Sequence, residues 1–118
     1  MNVCIVGTGY VGLVAAACYA EMGNDVYCID VNPDIIKSLQ DGKIHIYEPG
    51  LESLVKRNYE EGRLKFSTDL SEGLQDALFV FSSVGTPSKP DGSCDLSYVR
   101  QVAKQIGQSM TDYKIVIN

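Results

Sequence analysis

Val3-Cys4-Ile5-Val6-Gly7-Thr8-Gly9-Tyr10-Val11-Gly12 joins two kinds of structure across a glycine turn. Val3 to Val6 is a short apolar run without alternation, as in a strand buried on both faces of a parallel sheet. From Val11 the period changes. Val11, Val14, Ala15, Cys18, Tyr19 and Met22 recur at three- and four-residue spacing, which predicts a helix with that stripe turned inward and a stop at Gly23. A second apolar run, Val26 to Ile29, ends on Asp30, 18 positions after Gly12. Strand, G-x-G-x-x-G, helix, strand and terminal acid together form the fingerprint of a dinucleotide site.

Each residue of that fingerprint has a chemical reason. Gly7 allows a tight turn out of the strand. Gly9 has no side chain, so a pyrophosphate can approach the backbone, and Gly12 lets the helix lie close to the sheet. The N–H groups and dipole at the start of the helix face the anion. The expected cofactor-binding set is Gly7, Thr8, Gly9, Tyr10, Val11, Gly12 and Asp30. Asp30 would accept hydrogen bonds from the adenosine ribose and repel a 2′-phosphate, so the cofactor expected is NAD rather than NADP. Two other readings use the same residues: a bare βα turn with Asp30 as a cap, and a methyltransferase-like glycine turn. The third glycine, opening the helix, favours the dinucleotide.

The strand–helix alternation continues. Pro33 suits the first turn of a helix running to about Asp41, closed by Gly42. Leu51, Leu54, Val55 and Tyr59 form a further stripe ending at Gly62. Leu64 to Ser67 reads as a strand, and Ser67, Thr68 and Asp69 offer N-cap oxygens for a short helix through about Asp76. Leu78 to Phe81 reads as a strand buried on both faces, and Ser88 to Cys94 as a turn-rich loop. Leu96, Val99, Ala103, Ile106 and Met110 predict a last helix, capped by Asp95, and Lys114 to Asn118 begins a fifth strand. The fold class expected is α/β, a doubly wound parallel (Rossmann-like) sheet with helices on both faces.

Composition fits this reading. The chain has 118 residues, 45% hydrophobic and 21% charged, with a net charge of −5. That is ordinary for one packed domain, and the acidic balance argues against a nucleic-acid partner. Cys4, Cys18 and Cys28 lie in apolar stretches as small hydrophobes, and four cysteines are too few for a disulfide scaffold. A reducing, cytoplasmic setting is expected. The first basic residue is Lys37, which argues against a signal peptide, and glycines interrupt the only long apolar run, which argues against a membrane span.

Several residues admit two roles. Thr86, in Val84-Gly85-Thr86-Pro87 after the fourth strand, lies near the expected switch in strand order. It either donates to the cofactor or belongs to a plain Thr-Pro turn. Glu48 sits where a carboxylate would complement the next helix; capping fits the spacing better than catalysis. His45, the only histidine, reads as a solvated loop residue, with a general-base role as the alternative. It has no companion at ligand spacing, so no metal site is expected. Cys94 has no basic neighbour to activate it. Glu60, Glu61, Lys56 and Arg57 read as a solvated helix face.

At this point the chain resembles the N-terminal NAD-binding domain of the UDP-glucose/GDP-mannose dehydrogenases, most closely the branch that oxidises UDP-glucose. The residues that carry the resemblance are Val6-Gly7-Thr8-Gly9-Tyr10-Val11-Gly12-Leu13, Ile46-Tyr47-Glu48-Pro49-Gly50-Leu51, Glu61-Gly62-Arg63-Leu64, Val84-Gly85-Thr86-Pro87-Ser88 and Asp95-Leu96-Ser97-Tyr98. They run in order along nearly the whole chain. The resemblance implies a four-electron oxidation of a sugar-nucleotide C6 alcohol to a carboxylate, with two NAD reduced. It matches Val11, Asp30 and Thr86 to cofactor-contacting positions and the three glycines to the pyrophosphate. A basic residue usually stands five positions after the acid; here that position is Ile35, so either Lys37 substitutes or the contact is absent.

The resemblance also implies what lies elsewhere. The family's catalytic cysteine, its lysine and asparagine partners, a threonine after the fifth strand and the sugar-nucleotide domain match nothing in residues 1–118. No residue of this chain is therefore expected to be catalytic. The chain is expected to be an NAD-binding piece of a longer enzyme, broken off in or just after its fifth strand. UDP-glucose or a relative would bind only the full-length protein, which the family allows to be a homo-oligomer. The competing expectation is a stand-alone NAD-sensing or interaction module without catalysis.

Overall fold

The computed structural model describes residues 1–118. Five strands form one parallel sheet: β1 (Asn2–Val6), β2 (Asp25–Ile29), β3 (Leu64–Ser67), β4 (Phe79–Ser82) and β5 (Ile115–Ile117). Their spatial order is β3-β2-β1-β4-β5. The order reverses beside β1, which pairs with β2 on one edge and β4 on the other. The doubly wound sheet is as the alternation predicted, and its switch point lies at the carboxyl end of β1.

The helices are α1 (Tyr10–Glu21), α2 (Pro33–Gln40), α3 (Leu51–Glu60), α4 (Leu70–Leu74) and α5 (Ser97–Ser109). Alternate strand residues serve opposite faces of the sheet. Val3, Ile5, Val26, Cys28, Leu64 and Phe66 share one core with α1, α2 and α3. Cys4, Val6, Ile29 and Val80 share the other with α4 and α5. No helix is long and apolar enough to cross a membrane.

Four local expectations are corrected. In α1 the buried residues are Gly12, Leu13, Ala16, Ala17 and Ala20, whereas Val11 is 69% exposed and Cys18 and Met22 lie in solvent. In α5 Val102 is buried in place of Ala103, and Leu96 is exposed. On β4 only Val80 is fully buried, and Leu78 lies partly in solvent ahead of the strand. Helix α4 ends at Leu74, two residues early. Its Asp69 cap is as expected, the carboxylate accepting from the Ser71 N–H at 3.0 Å. Asp95 also accepts from a helix-start N–H, that of Ser97, although Leu96 is the N-cap.

The end of α1 is tied to α3 and β3 by a buried polar residue. Asn58 is fully buried. Its amide donates to Glu21 (2.8 Å) and to the Leu54 carbonyl (2.9 Å), while its oxygen accepts from two nitrogens of Arg63 at 3.0 and 2.8 Å. Arg57 pairs with the same Glu21 at 2.8 Å, so this helix face is not merely solvated. Asn58→Ala removes the acceptor of Arg63 Nη2, while Nε keeps the Ala20 carbonyl, and it takes the amide donor away from Glu21 and the Leu54 carbonyl. It is expected to destabilise the fold by about 2–3 kcal/mol, read as a lower urea midpoint with an unchanged slope.

Candidate functional site

The carboxyl end of β1 opens into Gly7-Thr8-Gly9, and α1 begins at Tyr10. Gly7 has φ +110°, which L side chains rarely adopt, and a Cβ there would lie 2.6 Å from the Ser83 carbonyl oxygen. Gly12 is tighter still, since a Cβ would lie 1.9 Å from the Gly7 carbonyl oxygen and 3.3 Å from Ser83 Cβ. These glycines let three backbones converge: β1, the start of α1 and the end of β4. Gly9 is different. It has ordinary extended geometry, and nothing lies within 4 Å of the place its Cβ would take. The turn is therefore closed on its inner side and open at Gly9.

No side chain caps α1, whose N-cap is Gly9 itself, and no acid occupies its first turn. Its leading N–H groups and positive dipole end thus face open ground, a setting suited to an anion. Tyr10 and Val11 begin this turn and both are exposed.

Asp30 follows β2 and meets the glycine turn directly. Thr8 Oγ1 donates to Asp30 Oδ2 at 2.6 Å and the Thr8 N–H to the same oxygen at 3.1 Å. The other oxygen, Oδ1, accepts the Asn32 N–H at 3.0 Å. Asn32 in turn caps α2, its side chain accepting from the Asp34 N–H. Thr8 is 1% exposed, and its polar groups face the protein. Thr86 lies after β4, exposed, and its hydroxyl has no protein partner. Ile35 packs against the core, while Lys37 is exposed near the end of α2.

Two residues are bound to the turn in ways local patterns did not indicate. Glu48 does not cap α3; its carboxylate accepts the Tyr10 hydroxyl at 2.5 Å. That bond, and the negative charge behind it, hold the Tyr10 phenol above its ordinary pKa. His45 is exposed, as its loop position suggested, but it is not without a partner. Its Nε2 lies 2.7 Å from the Thr8 carbonyl oxygen. Because a carbonyl can only accept, Nε2 carries the proton there. The segment between α2 and α3 is thus fastened to the glycine turn at two points, and it lines a concavity of about 800 Å³.

The cysteines add nothing to the site. Cys4 and Cys28 are buried, and burial pushes both thiols up, Cys4 to about 12. Neither can supply a thiolate near neutral pH. Cys18 and Cys94 lie on the surface, away from the turn in sequence.

The profile of the UDP-glucose/GDP-mannose dehydrogenase family, NAD binding domain, matches residues 1–118. The chain belongs to that family. It is 49% identical over 118 residues to a UDP-glucose 6-dehydrogenase of Pseudomonas aeruginosa, covering all of this chain and 26% of that protein. A UDP-glucose 6-dehydrogenase of Bacillus subtilis is 43% identical over 117 residues, 99% of this chain and 25% of that protein. Among solved structures, a ternary complex of GDP-mannose dehydrogenase from Pseudomonas aeruginosa superposes with a TM-score of 0.93 at 38% identity. It covers 98% of this chain and 27% of that one. The chain therefore spans about a quarter of the length of these relatives, and the part it matches is the NAD-binding domain.

Proposed function

We infer that residues 1–118 bind the adenosine-diphosphate half of NAD within a longer UDP-glucose 6-dehydrogenase. The observation that carries this reading is the open ground at Gly9. An uncapped helix start and an ionisable Asp30 border one uncrowded turn at the switch point of the sheet. A pyrophosphate fits there because Gly9 presents no side chain and the start of α1 presents N–H groups. Gly7 and Gly12 shape the turn, and Tyr10 and Val11 border it. Asp30 takes the adenosine ribose through Oδ1, whose second lone pair is uncommitted. Thr86 follows the strand across the switch point, and its free hydroxyl is available to the cofactor.

NAD supplies a hydride acceptor, so the full-length reaction takes UDP-glucose, two NAD and water to UDP-glucuronate, two NADH and the protons released. This chain's residues bind and orient the cofactor. The thiol that carries the aldehyde stage belongs to a part of the protein outside residues 1–118, as does the sugar-nucleotide domain. High identity to UDP-glucose 6-dehydrogenases favours UDP-glucose over GDP-mannose as the sugar nucleotide. Four free thiols, two of them buried and two exposed, fit a reducing cytoplasm, where a sugar nucleotide destined for polysaccharide synthesis would be oxidised.

Thermal stability against ligand concentration tests the reading. A ligand at about 100 times its dissociation constant stabilises the native state by roughly 2.7 kcal/mol. NAD at millimolar levels is expected to raise the Tm, NADP to raise it less, and UDP-glucose to leave it nearly unchanged. A shift with S-adenosylmethionine and none with NAD would overturn the dinucleotide reading. NADH formed from UDP-glucose by this chain alone would overturn the division of labour.

A further inference from the structure

Asp30 is already bonded by the protein's own groups. An ionised carboxylate offers about four lone-pair sites. Thr8 fills two on Oδ2 with its hydroxyl and N–H, and the Asn32 N–H fills one on Oδ1. One acceptor site is left, on Oδ1. The hydroxyl bond, at 2.6 Å, is the shortest of the three. Thr8 is buried, so no water competes for its donors. Its carbonyl is also engaged, by His45, so the residue is gripped from both sides of the peptide.

We propose that Thr8 is a positioning residue for the adenosine ribose: its hydroxyl locks the Asp30 carboxylate so that Oδ1 alone faces the ligand. The inference rests on the reading that Asp30 holds the ribose of NAD. A locked carboxylate accepts one ribose hydroxyl in a fixed place, with little side-chain entropy left to lose on binding. The same lock keeps the carboxylate where the 2′-phosphate of NADP would lie. Without that hydroxyl only the N–H of residue 8 and the Asn32 N–H hold the carboxylate, and its looser setting weakens NAD binding and relaxes discrimination. Thr8 thus works through Asp30 and touches no part of the cofactor with its side chain.

The test is a double-mutant cycle on the 118-residue chain, read by calorimetric titration with NAD and NADP. Thr8→Val keeps the shape and removes the hydroxyl. It is expected to weaken NAD binding about tenfold, as for one lost bond to a charged group, and to lower the NAD-to-NADP affinity ratio. Thr8→Ser, which restores the hydroxyl, should return both to within about twofold of wild type. In an Asp30→Ala background, Thr8→Val should change neither. Circular dichroism on each variant checks folding.

Unchanged or tighter NAD binding by Thr8→Val would overturn the proposal, tighter binding meaning that the hydroxyl competes with the ribose. So would an equal loss in the Asp30→Ala background, which would make Thr8 a structural residue only. If Asp30→Ala alone left NAD affinity intact, the ribose reading would fall first and take this proposal with it. If Asp30→Ala lost affinity and Thr8→Val did not, only the role of Thr8 would fall.

Discussion

Gly9→Val is expected to fold normally and to lose NAD binding altogether, whereas Gly12→Val is expected not to fold. The two positions lie three residues apart and the substitution is the same. At Gly9 the backbone is extended, with φ −72° and ψ −170°, a conformation that β-branched residues favour. A Cβ there meets nothing within 4 Å. The isopropyl group therefore occupies only the space assigned to the pyrophosphate. At Gly12 a Cβ would lie 1.9 Å from the Gly7 carbonyl oxygen, which is backbone and cannot swing aside. Relief requires α1 to move off the sheet, exposing Leu13, Ala16, Ala17 and Ala20. The expected cost is at least 4–5 kcal/mol, in the range reserved for core disruption. Circular dichroism separates the two variants, and calorimetry on the folded one completes the comparison. NAD binding by Gly9→Val with wild-type affinity would mean that the phosphates lie elsewhere.

The contrast between these glycines also explains what could be read from the residues alone. Their spacing announced the turn and the class of fold, and the acid after β2 stands against that turn. The buried face of α1 was not legible. Val11 to Ala20 is apolar nearly all round, so no stripe stands out from its surroundings. The face is chosen instead by Gly12, which must meet Gly7 and Ser83. That contact turns Leu13, Ala16, Ala17 and Ala20 inward, one or two positions from the larger residues that periodicity selected. In α3 polar residues occupy the outer face, and Leu51 and Val55 are buried as their spacing indicated.

The contacts of the segment between α2 and α3 were illegible for another reason. Glu48 stands two residues before the αL glycine that opens α3, a position that suggests a cap. Its partner, Tyr10, is 38 positions away. His45 is 37 positions from Thr8. Pairings at that separation depend on how the crossover is folded back over the sheet, and no local pattern encodes them. Thr8 itself occupies the unrestricted second place of the glycine fingerprint, where its buried hydroxyl had no sequence signal at all.

Asp30→Ala is expected to weaken NAD binding by roughly 1.5–3 kcal/mol, the loss of a hydrogen bond to a charged group. NADP should lose less, because the same change removes a repulsive charge, so the preference between the two cofactors narrows. The structure adds a second consequence. Asp30 is the only acceptor for the hydroxyl and N–H of Thr8, and Thr8 is buried. Removing the carboxylate orphans both donors, at a further cost to the fold of about 1–3 kcal/mol. Asp30→Asn separates the two effects. Its amide oxygen can still accept from Thr8, but its NH2 meets the Asn32 N–H where Oδ1 accepted, so stability should recover only in part; the charge is gone, so the narrowed cofactor preference should remain. Melting curves without ligand and titrations with NAD and NADP distinguish the outcomes. An Asp30→Asn protein that kept the wild-type preference for NAD would remove the carboxylate charge from cofactor choice, leaving Asp30 as a buttress for the glycine turn.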